Sequence, residues 1–171
     1  LIFSCAEGYY TWKHEYEKLF KGKNEFDFDI YHISEYILKE NLLEDITFPS
    51  YDKIKVTYHD PCRLGRMSNV FDAPREVLNL IPSIELVEME DSKQDAECCG
   101  VNAYISCNQD SKKLQEKKIK QAIETGAEYL ITACPKCIAH LNCYLNENRE
   151  LKDKINVMDI VSFLGKLLFL L

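Results

Sequence analysis

The chain has 171 residues, enough for one domain or two tightly joined halves with a real core. Hydrophobic residues make up 46% and charged residues 29%, the balance of a globular protein. A formal charge of −7 argues against a nucleic-acid partner, because a phosphate-reading surface must be basic.

The elements alternate between strand and helix. Leu1–Cys5 is apolar and reads as a strand already under way, which suggests a piece of a longer protein. Tyr9 to Phe20 places Trp12, Tyr16, Leu19 and Phe20 at helical spacing. Phe26–Tyr31 reads as a second strand, and Ser34 as the cap of a helix running to about Leu43. Pro49-Ser50 marks a break, and the polar stretch Thr47–Asp52 a boundary between units 1–52 and 53–171. Lys53–Tyr58 alternates as a strand and delivers His59-Asp60-Pro61-Cys62 at its end. A helix opens at Ala73-Pro74 and runs through Leu80, and Ile84–Met89 is a strand. The polar loop Asp91–Ala96 leads to Cys98-Cys99-Gly100. Ser111–Thr125 is a charged amphipathic helix closed by Gly126. Tyr129–Ala133 is a buried strand, Cys134-Pro135-Lys136-Cys137 opens the next helix, and Ile155–Met158 precedes a last helix. This order predicts an α/β fold with mostly parallel sheets flanked by helices.

An internal repeat is visible. Leu1-Ile2-Phe3-Ser4-Cys5 parallels Leu130-Ile131-Thr132-Ala133-Cys134, and Phe28-Asp29-Ile30 parallels Ile155-Asn156-Val157. The chain therefore reads as the end of one unit followed by a complete one, with Gly8 standing where the second unit has Cys137.

Eight cysteines are many for a chain with no segment that reads as an export signal, and too few for a small disulfide scaffold. Thiolates are soft ligands for iron–sulfur clusters, zinc or copper(I). Cys134 and Cys137 lie at a strand-to-helix turn whose amides favour the thiolate form. Cys62 follows a strand end, and loops at the carboxyl ends of parallel strands converge on one crevice. Five thiols exceed what tetrahedral zinc needs, and the adjacent Cys98–Cys99 pair is awkward for a single ion. A multi-iron cluster can use the surplus.

The order Cys62, Cys98-Cys99-Gly100, Cys134-x-x-Cys137, with His59-Asp60-Pro61 and Asp72-Ala73-Pro74-Arg75-Glu76 around it, resembles the CCG-type cysteine-rich domain. That domain occurs in the catalytic B and D components of heterodisulfide reductases and in iron–sulfur subunits of glycolate and lactate oxidases. The resemblance runs from about Lys53 to the C-terminus. It implies a [4Fe-4S] cluster, of non-cubane form in those reductases, ligated by Cys62, Cys98, Cys99, Cys134 and Cys137. It further implies a cluster-based oxidoreductase acting on a small disulfide, as one part of a multi-subunit complex with iron–sulfur or flavin electron donors. Two departures stand out. Val101-Asn102-Ala103-Tyr104 replaces the glycine-rich run many members carry after Cys-Cys-Gly, and Gly8 puts a second five-cysteine site in doubt.

Other readings stand beside this one. A non-catalytic electron-transfer module would resemble the hydroxy-acid oxidase subunits, and a structural zinc module would hold a larger complex together. A dithiol oxidoreductase on Cys134–Cys137 is disfavoured because no proline follows Pro135. Cys5 reads as a remnant ligand or a small core residue, Cys107 and Cys143 as core, with Cys107 able to fold back toward the site. His59 could hydrogen-bond the cluster or relay a proton, or be satisfied by backbone. Asp60 reads as a loop-holding residue. Arg63 and Arg66 could offset the charge of the thiolates or bind an anionic substrate, or simply be solvated. Arg75 and Glu76 read as a helix-face pair. His140, three residues past Cys137, could touch the site. Phe163–Leu171 is too short to span a bilayer and reads as a terminal helix packed on the core, or as contact with a partner subunit. The expected location is cytoplasmic, at most peripheral to a membrane through a partner.

Overall fold

The computed structural model describes residues 1–20, 28–49, 52–101 and 108–169. Its centre is a four-stranded parallel sheet of β3 (Ile54–His59), β4 (Ile84–Val87), β5 (Tyr129–Thr132) and β6 (Asn156–Asp159), in the order β4-β3-β5-β6. Parallel strands buried on both faces read as continuous apolar runs. Tyr129-Leu130-Ile131-Thr132 does so, and Val56, Tyr58, Leu130 and Ile131 are fully buried.

A second, two-stranded parallel sheet pairs β1 (Ile2–Phe3) with β2 (Tyr31–His32), in the register Ile2↔Tyr31 and Phe3↔His32. Helix α1 (Ala6–Tyr10) follows β1 and continues through a π-helical turn, Thr11–Tyr16, into α2 (Glu17–Phe20). Helix α3 (Ile33–Lys39) follows β2 and packs on α4 (Asp72–Asn79). The remaining helices are α5 (Gln109–Glu124), α6 (Pro135–Glu147), α7 (Arg149–Lys152) and α8 (Ile160–Phe169). Apolar faces of α4, α5, α6 and α8 close the core with Val77, Ile119, Leu141 and Phe163, none of them exposed. Helix α8 thus packs on the core. Among the described residues, no helix is long and apolar enough to cross a membrane.

Three readings change. The strand expected over Phe26–Tyr31 is only Tyr31–His32 within the described residues, and Phe26 and Asp27 lie outside them. Ser34 does not cap α3. His32 is the N-cap, its Nδ1 accepting from the Ser34 amide at 3.3 Å while Glu35 accepts from the His32 amide at 3.0 Å, so a capping box is built on an imidazole. The helix stops at Lys39, not near Leu43, because Asn41 takes a left-handed φ of 50°. Pro49 is described, whereas Ser50 and Tyr51 of the expected boundary lie outside the described residues.

Candidate metal centre

The sheet order creates the site. From β3 the chain steps to β4 on one side, then returns as β5 on the other, so the crevice between the ends of β3 and β5 is a topological switch point. His59 pairs with Thr132 in register, and the Thr132 hydroxyl donates to the His59 carbonyl at 3.2 Å. Three residues beyond His59 is Cys62, and two beyond Thr132 is Cys134. Both cysteines therefore leave neighbouring strands at the same level.

The loop carrying Cys98 and Cys99 is held by α5. The Lys117 ammonium donates to Glu97 at 2.8 Å, and buried Lys118 donates to the Asp91 carbonyl at 3.2 Å. Gly100 has φ +86°, and the Ser111 hydroxyl donates to its carbonyl at 2.8 Å. A Cβ at Gly100 would sit 2.6 Å from the Ser111 carbonyl oxygen, which is backbone and cannot step aside. Gly100→Ala is therefore expected to cost on the order of 2–4 kcal/mol, from left-handed strain plus overpacking. Urea unfolding of the variant checks it; a midpoint equal to wild type would refute the reading.

The five cysteines of the motif line one cavity of about 250 Å³, together with Glu7, Arg63, Met67, Val101 and Lys136. The thiols form a continuous run. Cys62 meets Cys98, Cys98 meets Cys99, and the Cys99 and Cys137 sulfurs are 3.1 Å apart. Cys137 meets Cys134, whose other neighbour is Cys5. Cys99, Cys134 and Cys137 are buried, while Cys62 and Cys98 are half-buried at the cavity. A larger groove between α3 and α4, about 860 Å³, mixes apolar residues with Asn41, Glu44, Thr47 and Glu76 and has no cysteine or histidine among its described lining residues.

Crowding decides the charge state of the sulfurs. The Cys98 thiol is held far below the ordinary range by its hydrogen bond with Cys62, and then by that with Cys99. Cys134 is held down likewise by Cys137 and Cys5, helped by the backbone amides of Cys137 and Lys136 at the start of α6. The donors move the other way: Cys62 and Cys5 are pushed up by these same hydrogen bonds and by burial. Cys99 and Cys137, side by side between Cys98 and Cys134, are pushed up as well, so only Cys98 and Cys134 are driven toward the thiolate. Ionising every sulfur at once needs a positive centre among them.

His59 is fully buried on the last residue of β3, and its ring lies with the sulfurs of Cys99 and Cys137, the three donor atoms all within 4.8 Å of one another. Among the described residues neither ring nitrogen has a hydrogen-bond partner, backbone included. Burial lowers its pKa to about 4, helped by the charge of Lys118, so the ring is neutral at neutral pH. His140 lies near the site but pairs through Nδ1 with Gln115 at 3.0 Å.

Asp60 holds the loop: both its oxygens accept from the Arg75 guanidinium, at 2.7 and 2.8 Å, and Oδ2 also accepts from the Lys93 amide at 2.8 Å. Arg75 reaches Glu88 as well, at 2.6 and 2.9 Å, and does not pair with Glu76 as the helix-face reading expected. Adjacent helical residues point in different directions and cannot meet side by side. Arg63 stacks its guanidinium 4.6 Å from the Tyr10 ring centre and lines the cavity; Arg66 does not line it and is exposed. Cys143 does not line the cavity, and Cys107, with residues 102–106, lies outside the described residues.

The contribution of the N-terminal segment was the least legible part. The Ala6 amide donates to the Ala133 carbonyl at 3.2 Å, bringing Cys5 against Cys134. Glu7 pairs with Lys136 at 2.5 Å at the cavity wall. The only signal in the sequence was the parallel between residues 1–5 and 130–134.

Residues 56–142 match the family model described as the cysteine-rich domain, CCG. The chain is 34% identical over 171 residues to the D component of dihydromethanophenazine:CoB–CoM heterodisulfide reductase from Methanosarcina barkeri, covering 98% of this chain and 40% of that protein. It is 35% identical over 175 residues to an uncharacterized iron–sulfur protein of Methanococcus maripaludis, covering 98% of this chain and 32% of the relative. It is 29% identical over 176 residues to EtfAB:quinone oxidoreductase of Syntrophomonas wolfei, covering 97% of this chain and 24% of the relative. The chain thus spans 40% or less of the length of these relatives.

Proposed function

The chain belongs to the CCG cysteine-rich domain family, and from that premise we propose that it holds a [4Fe-4S] cluster on Cys62, Cys98, Cys99, Cys134 and Cys137 and works in the reduction of a disulfide. One observation carries the reading: five motif thiols run in contact around a single cavity at the switch point of a parallel sheet. The donor set fits. All five donors are soft sulfurs, they are too many for one tetrahedral ion, and they need a positive centre before all can ionise. A non-cubane arrangement suits five ligands better than a cubane one, which takes four.

When bound, the cluster supplies electrons one at a time and an iron that a sulfur can approach. The chain's own residues do the rest. Strands β3 and β5 fix Cys62 and Cys134 on rigid elements, and α5 fixes Cys98 and Cys99. Half-buried Cys62 and Cys98 mark the side a substrate would enter. Arg63 and Lys136 would hold an anionic portion of the substrate there, with Met67 supplying apolar contact. Electrons would come from iron–sulfur or flavin partners in a larger assembly, and a cytoplasmic location suits a thiolate site.

We also take residues 1–52 as the end of a preceding unit and 53–171 as a complete one. The support is register: Ile2 pairs with Tyr31 as Ile131 pairs with Met158, and each pairing is followed by a cysteine opening a helix.

Protein prepared without oxygen is expected to carry about four irons with matching sulfide and to reduce a small disulfide with reduced viologen as donor. One zinc and no sulfide would overturn the reading in favour of a structural module. A second reading, an electron-transfer module, is favoured by the small cavity and by the similarity to a quinone oxidoreductase. Full iron content, no disulfide turnover and electron delivery to a quinone would establish that one instead.

A further inference from the structure

We infer that His59 donates a ring N–H to the sulfur framework held by Cys99 and Cys137, and so sets the reduction potential of the site. The inference rests on the cluster reading above and names a residue outside its thiolate set.

His59 has no solvent, and among the described residues no partner for either ring nitrogen. An imidazole left so in a protein interior forfeits the hydrogen bonds that water gave it, a penalty a folded chain avoids wherever a partner can be supplied. Its backbone is committed elsewhere, to the β3–β5 pairing and to the Thr132 hydroxyl, so strand geometry pins the ring where it is. The sulfurs of Cys99 and Cys137 share its immediate surroundings. The group those sulfurs hold is therefore the partner the ring lacks.

Donation rather than ligation follows from the charge balance. Five thiolates already supply the ligands, and they accumulate negative charge in a buried place. The imidazole carries at least one N–H in either charge state, and a donor is what such a site needs. Lys118 is buried nearby, but its ammonium is already occupied by the Asp91 carbonyl and by Gln121 at 3.0 Å. A hydrogen bond to cluster sulfur stabilises the more negative, reduced state and raises the potential. His59 is a positioning and tuning residue in this account, and the electrons pass through the cluster.

The test compares wild type, His59→Gln and His59→Leu after anaerobic reconstitution with iron and sulfide. Glutamine keeps an N–H donor; leucine keeps bulk and removes it. The expected result is equal iron content, a midpoint potential moved to more negative values in His59→Leu, and a smaller move in His59→Gln. Wild type grown with 15N-histidine should show a weak 15N hyperfine coupling in the reduced spin signal. That coupling should persist in His140→Gln and vanish in His59→Gln. A loaded His59→Leu protein with the wild-type potential would overturn the inference. If His59→Leu fails to load, the labelled wild type decides, and absence of a coupling assignable to His59 overturns it. Wild type that takes up no iron or sulfide would sink the cluster reading itself, a distinct outcome.

Discussion

Serine at both Cys99 and Cys137 is expected to abolish iron and sulfide binding while the fold survives. Their sulfurs are 3.1 Å apart and both residues are buried, at 2% and 4% exposure, in the middle of the thiol run. Loss of an end member leaves a shortened run; loss of these two cuts Cys62–Cys98 from Cys134. A serine hydroxyl is a harder donor with a far higher pKa than a thiol, so it replaces a thiolate on cluster iron poorly, and two such losses leave too few soft ligands. Burying two hydroxyls costs about 1–3 kcal/mol each at most, within the stability of a domain of this size. The measurement is iron and sulfide per chain after anaerobic reconstitution, with the helical circular dichroism signal as the folding check. Cys143→Ser, whose residue does not line the cavity, should load as wild type does. A folded double variant with full iron content would exclude these two residues as ligands.

What the sequence revealed and what it hid follow from the range of the interactions. The strands leading to Cys62 and Cys134 were legible because alternating and buried apolar runs mark them locally. Once the sheet is parallel, strand ends meet at one crevice, so the convergence of Cys62 with Cys134 and Cys137 followed from topology. The left-handed Gly126 after α5 was legible too, since few other residues take φ +73° without strain. Contacts between distant segments were not. Nothing local announces that Arg75 looks back to Asp60 and forward to Glu88, or that Cys5 lies against Cys134. His32 as a helix cap was hidden for another reason: imidazole rarely serves where serine, sitting two residues on, is the usual acceptor. His59 could be flagged from its place in the His59-Asp60-Pro61-Cys62 turn, but its lack of a partner among the described residues belongs to the packed structure.

That packed structure makes Arg75 the residue on which the turn depends, and Arg75→Met should lower stability by about 3–5 kcal/mol. The Arg75 and Asp60 side chains are 7% and 2% exposed, so their bidentate pair is a buried one. Removing the guanidinium leaves the Asp60 carboxylate in the interior with, among the described residues, the Lys93 amide as its one remaining donor. It also strips the Phe71 carbonyl of its donor at 2.7 Å and the Tyr58 ring of a cation 5.2 Å from its centre. The Glu88 contact adds little to the sum, because that carboxylate is 40% exposed and water can replace its partner. For a chain of this length the loss corresponds to a fall of about 6–20 °C in Tm. Much of the cost is the stranded charge, so Asp60→Asn added to Arg75→Met should restore part of it while keeping an acceptor for Lys93. Thermal unfolding of the two single variants and the double variant measures this as a double-mutant cycle. Strict additivity would show that the pair does not act as a unit. Iron retention should follow the same order, because Asp60 is two residues from Cys62 and the loosened turn carries that thiol away from Cys98.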